Sequence, residues 1–274
     1  MHRKLALVVT VVVMAFVSPA AAQRSPDTST MDRGDGLTRL GIDFGLTFLE
    51  SPPYDMTLRV EPYGQYVSRS GLGFYGVLPI TKSFGDGEAP DPEPTLTIGN
   101  LELGGLFVTS GDRLSWVLRG GVALPTAGDD RDAIPTNFLS SVARITDFAL
   151  AEPDAVYVRL AASPLFHAES LFLRLDIGFD LGIDTGESFE TPHYFRVNAG
   201  GGVDLGVVAL GLELCNLLRF DDVDDNEQTF HTLALTIRFM GERLQPVLAI
   251  GAPLDEALRD QVKLFVTLGI QFLP

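Results

Sequence analysis

From residue 262 to residue 272 the chain alternates without a break. Val262, Leu264, Val266, Leu268, Ile270 and Phe272 are apolar, and Lys263, Phe265, Thr267, Gly269 and Gln271 lie between them. In a strand, successive side chains point to opposite faces, so one face of this segment needs an apolar medium and the other needs water. The same two-residue rhythm returns about twelve times along the chain. A helical architecture cannot use that period. The expected fold is all-β, an up-and-down antiparallel transmembrane barrel of about twelve strands.

The first residues read as an export signal. Arg3 and Lys4 open it, an apolar run fills 5–17, and Ala20, Ala21 and Ala22 precede Gln23. The apolar run is too short to span a bilayer as a helix. The chain therefore divides into a cleaved signal (1–22), a polar leader (23–36) and a barrel (37–274). Cys215 is the sole cysteine, which rules out a lipid anchor after the cleavage site and an internal disulfide framework. Losing Arg3 and Lys4 takes the net charge from −16 to −18. Such acidity argues against nucleic acid as a partner. The expected surroundings are the outer membrane of a Gram-negative bacterium, its lipid and its barrel-assembly machinery.

Charge placement separates a membrane barrel from a soluble sandwich or lipocalin-like barrel with the same alternation. Arg39 and Asp43 oppose Leu40, Ile42 and Phe44; Arg59 and Glu61 oppose Leu58 and Val60. Further along, Arg119, Tyr157, Arg159, Arg174, Asp176, Asp180, Arg196, Asn198, Asp204, Glu213, Arg238 and Lys263 also fall on polar faces. These are the expected lumen-lining residues. A third strand (72–80) is apolar on both faces, and a bulge near Gly99 is needed to bring Leu96 and Ile98 into phase with Leu101 and Leu103. Short links at 68–71, 110–113, 165–170, 206 and 240–243 alternate with longer ones at 50–56, 83–94, 125–154, 184–193, 219–229 and 253–260. Short periplasmic turns and longer outer loops are the habit of membrane barrels.

One stretch carries a family likeness. The segment IGNLELGGLFV (98–108) is followed by a turn and by a strand ending GVALPTAG (121–128). It resembles the outer-membrane barrel family named for the meta-pathway of phenol degradation, which shows a glycine-rich G-x-G-D/N-L-x-L-G strand and then L-P-T-G. Thr97 stands at a usual glycine position, and Ala127 intervenes before Gly128. The resemblance implies transport of hydrophobic or aromatic compounds and names no catalytic residue.

Two readings of the inward charges stay open. They pair across strands to fill the barrel, or the arginines form a path for an anionic solute. Tyr63, Tyr75 and Tyr157 offer either stacking for an aromatic solute or ordinary packing. In the longest loop, Phe138, Val142, Ile145 and Ala149 recur at helical spacing with Thr136 as N-cap, so one helix is expected there. Its apolar stripe, Phe138, Val142 and Ile145, either constricts the lumen or covers its mouth. Acidic clusters at Asp86, Glu88, Asp91 and Glu93, at Asp129, Asp130 and Asp132, and at 221–227 suit divalent cations or plain solvation. No cofactor or catalytic motif is expected. The function expected is passive passage of a small solute; a closed structural or surface-interaction barrel is the alternative. A barrel hydrolase using His193 and Ser188 is a third, weaker reading.

Overall fold

The computed structural model describes residues 29–31, 36–50, 54–85, 93–185, 191–220 and 229–274. The signal and most of the leader lie outside these residues, as do Ser188 and the acidic residues at 86–91 and 221–227.

Fourteen strand segments form one antiparallel sheet. They are β1 (Arg39–Leu49), β2 (Met56–Val67), β3 (Leu72–Val77), β4 (Ile80–Phe84), β5 (Leu96–Ile98), β6 (Leu101–Ser110) and β7 (Leu114–Leu124). After the longest loop come β8 (Ala155–Ala168), β9 (Leu171–Asp184), β10 (His193–Asp204), β11 (Val208–Phe220), β12 (Thr229–Phe239), β13 (Leu244–Pro253) and β14 (Val262–Phe272). β3 and β4 are two pieces of one barrel strand, both paired to β2, and β5 and β6 are pieces of the next. β1 pairs with both β2 and β14, so the wall is a closed barrel of twelve strands. Closure leaves no open sheet edge.

The two faces differ as the alternation requires. In β9, Leu173 is 60% exposed while its neighbour Phe172 is 4% exposed. Leu171, Leu175, Ile177, Phe179, Leu181 and Ile183 join Leu173 on an outer apolar row. Lys82 of β4 also faces outward, 5.0 Å from the Phe84 ring; it lies near a rim, where a long side chain lifts its charge towards water. The turns at 68–71, 111–113, 169–170, 205–207 and 240–243 share one end with the start of β1 and the finish of β14. Longer connections crowd the other end. In the first of these turns Gly71 has φ +83°, and a Cβ there would strike the Val108 carbonyl.

Three expectations need correction. Lys263 does not line the lumen: the register shifts at Phe48/Leu49, Leu49 pairs with Val262, and Val262 turns inward. The Lys263 side chain, 53% exposed, meets Glu50 at 3.4 Å on the rim. A bulge of this kind flips the faces beyond it. The longest loop holds the expected helix, but not as one continuous run through 149. It holds α1 (Ala133–Ser141) and then a tight 3-10 segment (Val142–Leu150) broken at Arg144 and Asp147, whose φ/ψ leave the helical region. Thr136 is no cap; it sits within α1, its hydroxyl donating to the Asp132 carbonyl (2.8 Å). The bulge expected near Gly99 is present as the break between β5 and β6.

Candidate functional site

The lumen is the candidate site, and the loop after β7 fills its outer half. Residues 139–150 are buried throughout, so the segment lies inside the barrel. Its apolar side is sealed by aromatic contact. Phe138 and Phe148 rings lie 4.8 Å apart, and Phe148 and Phe230 5.4 Å apart. Val142, Ile145 and Leu150 join a cluster with Tyr157, Tyr194, Leu217 and Phe265 of the wall. Leu258 of a short helix α2 (Glu256–Arg259) closes the cluster from the rim, with Asp255 capping that helix by accepting from the Leu258 amide (3.0 Å). Phe138, Val142 and Ile145 therefore lie inside the barrel, packed within or against this cluster.

Beneath this apolar layer lies a charged one. Asp147 accepts from three guanidinium groups: Arg144 Nε at 2.8 Å, Arg59 Nη2 at 3.3 Å and Arg159 at 3.4 Å. Arg59 is also held by Glu61 and donates to the Ser141 hydroxyl (2.9 Å). Arg159 is held by Glu102 and by Asp180 (3.1 Å), and donates to the Thr146 carbonyl (2.6 Å). Asp180 accepts from Arg196 too (2.8 Å). Arg144 reaches Glu61 at 3.7 Å and Asp43 at 3.8 Å. These side chains are nearly or wholly buried, so pairing is what makes their charge tolerable there. Strands from opposite sides of the wall are thus tied together through the plug.

The other expected residues face inward as well. Asp176 accepts from the Ser163 hydroxyl and from Asn198 (3.1 Å). Arg174 lies 3.9 Å from Asp176. Nearer the short-turn end, Arg39 donates to Gln271 (3.2 Å), and Arg238 is buried. Arg119 stacks on Tyr75, its guanidinium carbon 4.0 Å from the ring centroid. Asp204, half-buried, holds the turn at that end by accepting from the Gly206 amide (2.7 Å). Tyr157 stacks with Tyr194, 6.1 Å between centroids. Tyr75 donates to Glu102 (2.6 Å) and lies across Gly104 and Gly121, where a Cβ would strike its ring and its hydroxyl respectively. That is packing.

Sequence reasoning missed the clasp at Asn100. Its side chain donates to the carbonyls of Ala149 (3.1 Å) and Glu152 (2.7 Å) and accepts from the amides of Thr126 (2.9 Å) and Ala127 (2.8 Å). Its own amide donates to the Leu150 carbonyl (2.7 Å). Nearby, Asn137 of α1 donates to the Ile98 carbonyl (3.1 Å) and accepts from the Thr81 hydroxyl (2.6 Å). The available signal was Asn100 itself, polar at a predicted bulge. Arg144 and Asp147 were also overlooked; both fall off the apolar stripe, on the side a regular helix would turn away from it.

The remaining candidates gather nothing comparable. His193 accepts from the Gly182 amide (3.1 Å), and His231 bonds to Asn216 (2.8 Å). Among the described residues no three acidic, histidine or cysteine side chains converge as a cation site. A cavity of about 170 Å³ opens beside the plug, lined by Ile134, Glu152, Pro153, Asp154, Ala155, Asp184, Thr191, Pro192 and Arg219.

No protein-family model matches the chain. No curated protein matches it either. Solved structures do. An outer-membrane channel from Pseudomonas putida F1 superimposes with a TM-score of 0.61 at 14% identity, over 93% of this chain and 99% of that one. The NanC porin gives 0.55 at 7% identity, over 85% and 98%, and the KdgM porin 0.52 at 9%, over 85% and 98%. The chain therefore has the fold of these porins and channels.

Proposed function

We propose that the protein is a channel of the bacterial outer membrane, passing a small solute without catalysis, and that the structure is its closed state. The observation that carries this reading is an obstruction made from a loop. Side chains alone can fill an eight-stranded barrel, whereas a wider one leaves room that a separate segment must occupy or water will fill. Here residues 133–150 occupy it, connected to the wall at both ends. The outward apolar rows and the sorting of short turns from long loops support the outer membrane as its site.

For the solute we favour an uncharged, hydrophobic or aromatic compound over an anion. The mid-lumen guanidinium groups of Arg59, Arg144, Arg159 and Arg196 all contact carboxylates, which cancels much of the field an anion would follow. This preference agrees with the likeness to the meta-pathway family, whose membership is likewise proposed. A permanently shut barrel acting at the surface is the second reading, favoured by the number of bonds that pin the plug. Planar-bilayer recording together with liposome swelling in graded anionic, neutral and aromatic solutes decides. Stepwise currents and faster uptake of neutral aromatic solutes are expected. Silent bilayers even after removal of residues 133–150 leave only the shut barrel.

A further inference from the structure

Residues 29–31 lie ahead of β1 in the chain, yet they are buried in mid-lumen against β11 and the plug. Glu213 of β11 accepts from two successive backbone amides, Ser29 (2.9 Å) and Thr30 (2.7 Å), and from the Thr30 hydroxyl (2.7 Å). The Thr236 hydroxyl of β12 donates to Glu213 Oε1, the oxygen that also accepts from the Ser29 amide. On the opposite side Arg144 of the plug donates to the carbonyls of Ser29 (2.8 Å) and Met31 (2.9 Å). One short peptide thus receives a carboxylate from the wall and a guanidinium from the plug, through backbone groups that any sequence possesses.

We propose that residues 29–31 are an autoinhibitory strap, which bridges wall to plug and keeps the plug seated. The reading rests on the channel function above. Charge chemistry explains the arrangement. Arg144 is already engaged by Asp147, and withdrawing the strap would take the Ser29 and Met31 carbonyls from its two terminal nitrogens. Glu213 would likewise keep only Thr236 from the bonds named here. Withdrawing the strap strips partners from two buried charges at once, so strap and plug are expected to leave together. A closed pore held this way opens by displacement of a peptide, with no rearrangement of the wall.

The native cysteine supplies the test. The Thr30 hydroxyl oxygen lies 3.5 Å from Cys215 Sγ, which is buried in the wall. In Thr30→Cys the two thiols come within the reach of a side-chain rotation from a disulfide bond of about 2.05 Å, and the backbone bonds to Glu213 remain. Joining them removes two electrons and two protons, taken up by an added oxidant such as a copper–phenanthroline/oxygen couple. Full-length protein refolded into vesicles should cross-link, shown by the linked peptides after proteolysis, and Thr30→Cys/Cys215→Ser should not. Oxidised Thr30→Cys should lose channel openings in planar bilayers, and reductant should restore them. Absence of the cross-link in folded barrels overturns the strap's position, and identical currents in both redox states overturn its autoinhibitory role. If Thr30→Cys with residues 133–150 removed cross-links but passes no current when reduced, the channel reading fails and the strap's autoinhibitory role with it, while its luminal position stands.

Discussion

Asp147 shows how a single carboxylate organises the lumen. Three guanidinium groups share it, from β2, the plug and β8, and each brings a second carboxylate from the wall. Removing one partner from a buried ion pair costs about 3–5 kcal/mol, because the charges left behind keep their desolvation penalty. Asp147→Asn keeps the shape and removes the charge. It should lower the barrel's unfolding temperature in detergent and raise open probability in bilayers, since the plug loses its charge ties to Arg59 and Arg159 of the wall. Tyr75 makes the complementary point for packing. Gly104→Val should displace a ring that Arg119 and Glu102 hold in place, with an overpacking cost of about 1–3 kcal/mol by denaturant unfolding. The sequence displayed these glycines as part of a family-like strand. It could not display their partner: Tyr75 is nearly thirty positions away, and its approach depends on the register of β3 against β6.

At the scale of elements, strands were legible and the plug only partly. Period two survives tertiary context because a one-residue slip exposes a whole apolar row to the wrong medium. It misled only where a bulge intervened, as at Leu49 and Val262, which carried Lys263 to the rim. The plug's apolar stripe correctly announced a buried segment. A continuous helix was the wrong geometry for it, because Arg144 and Asp147 must leave the helical region to meet charges on several strands. Asn100 adds a clasp whose four side-chain bonds join the β5–β6 break, the loop after β7 and the end of the plug. In Asn100→Asp the two donated bonds become a carboxylate facing two carbonyl oxygens. Each buried group left unsatisfied costs about 1–3 kcal/mol. Proteolysis within 125–154 should accelerate in this variant while the heat-modifiable migration of the barrel persists. Unchanged cleavage would mean that Asn100 does not hold the loop.

The whole molecule is a solvent-inverted solid: grease outside, paired charge inside, with a segment of its own chain in the middle. Nothing in the alternation alone says which row faces outward, since a soluble barrel would bury the apolar row. The structure places Leu171, Leu173, Leu175, Ile177, Phe179, Leu181 and Ile183 outward along β9, and Arg174, Asp176 and Asp180 inward. If that row meets acyl chains, the penalty for a charge on it must depend on depth. Arginine on the lipid face of a barrel costs about 2–4 kcal/mol at the bilayer midplane and about 0–1 near the interfaces. Ile177→Arg, in mid-strand, should therefore destabilise folding into phospholipid vesicles by the larger amount. Leu171→Arg and Ile183→Arg, at the two ends, should cost little. Denaturant titration of the three variants in the same vesicles gives the profile directly. A flat profile, or folding that is equally stable without any lipid or detergent, would show that the row does not cross a bilayer.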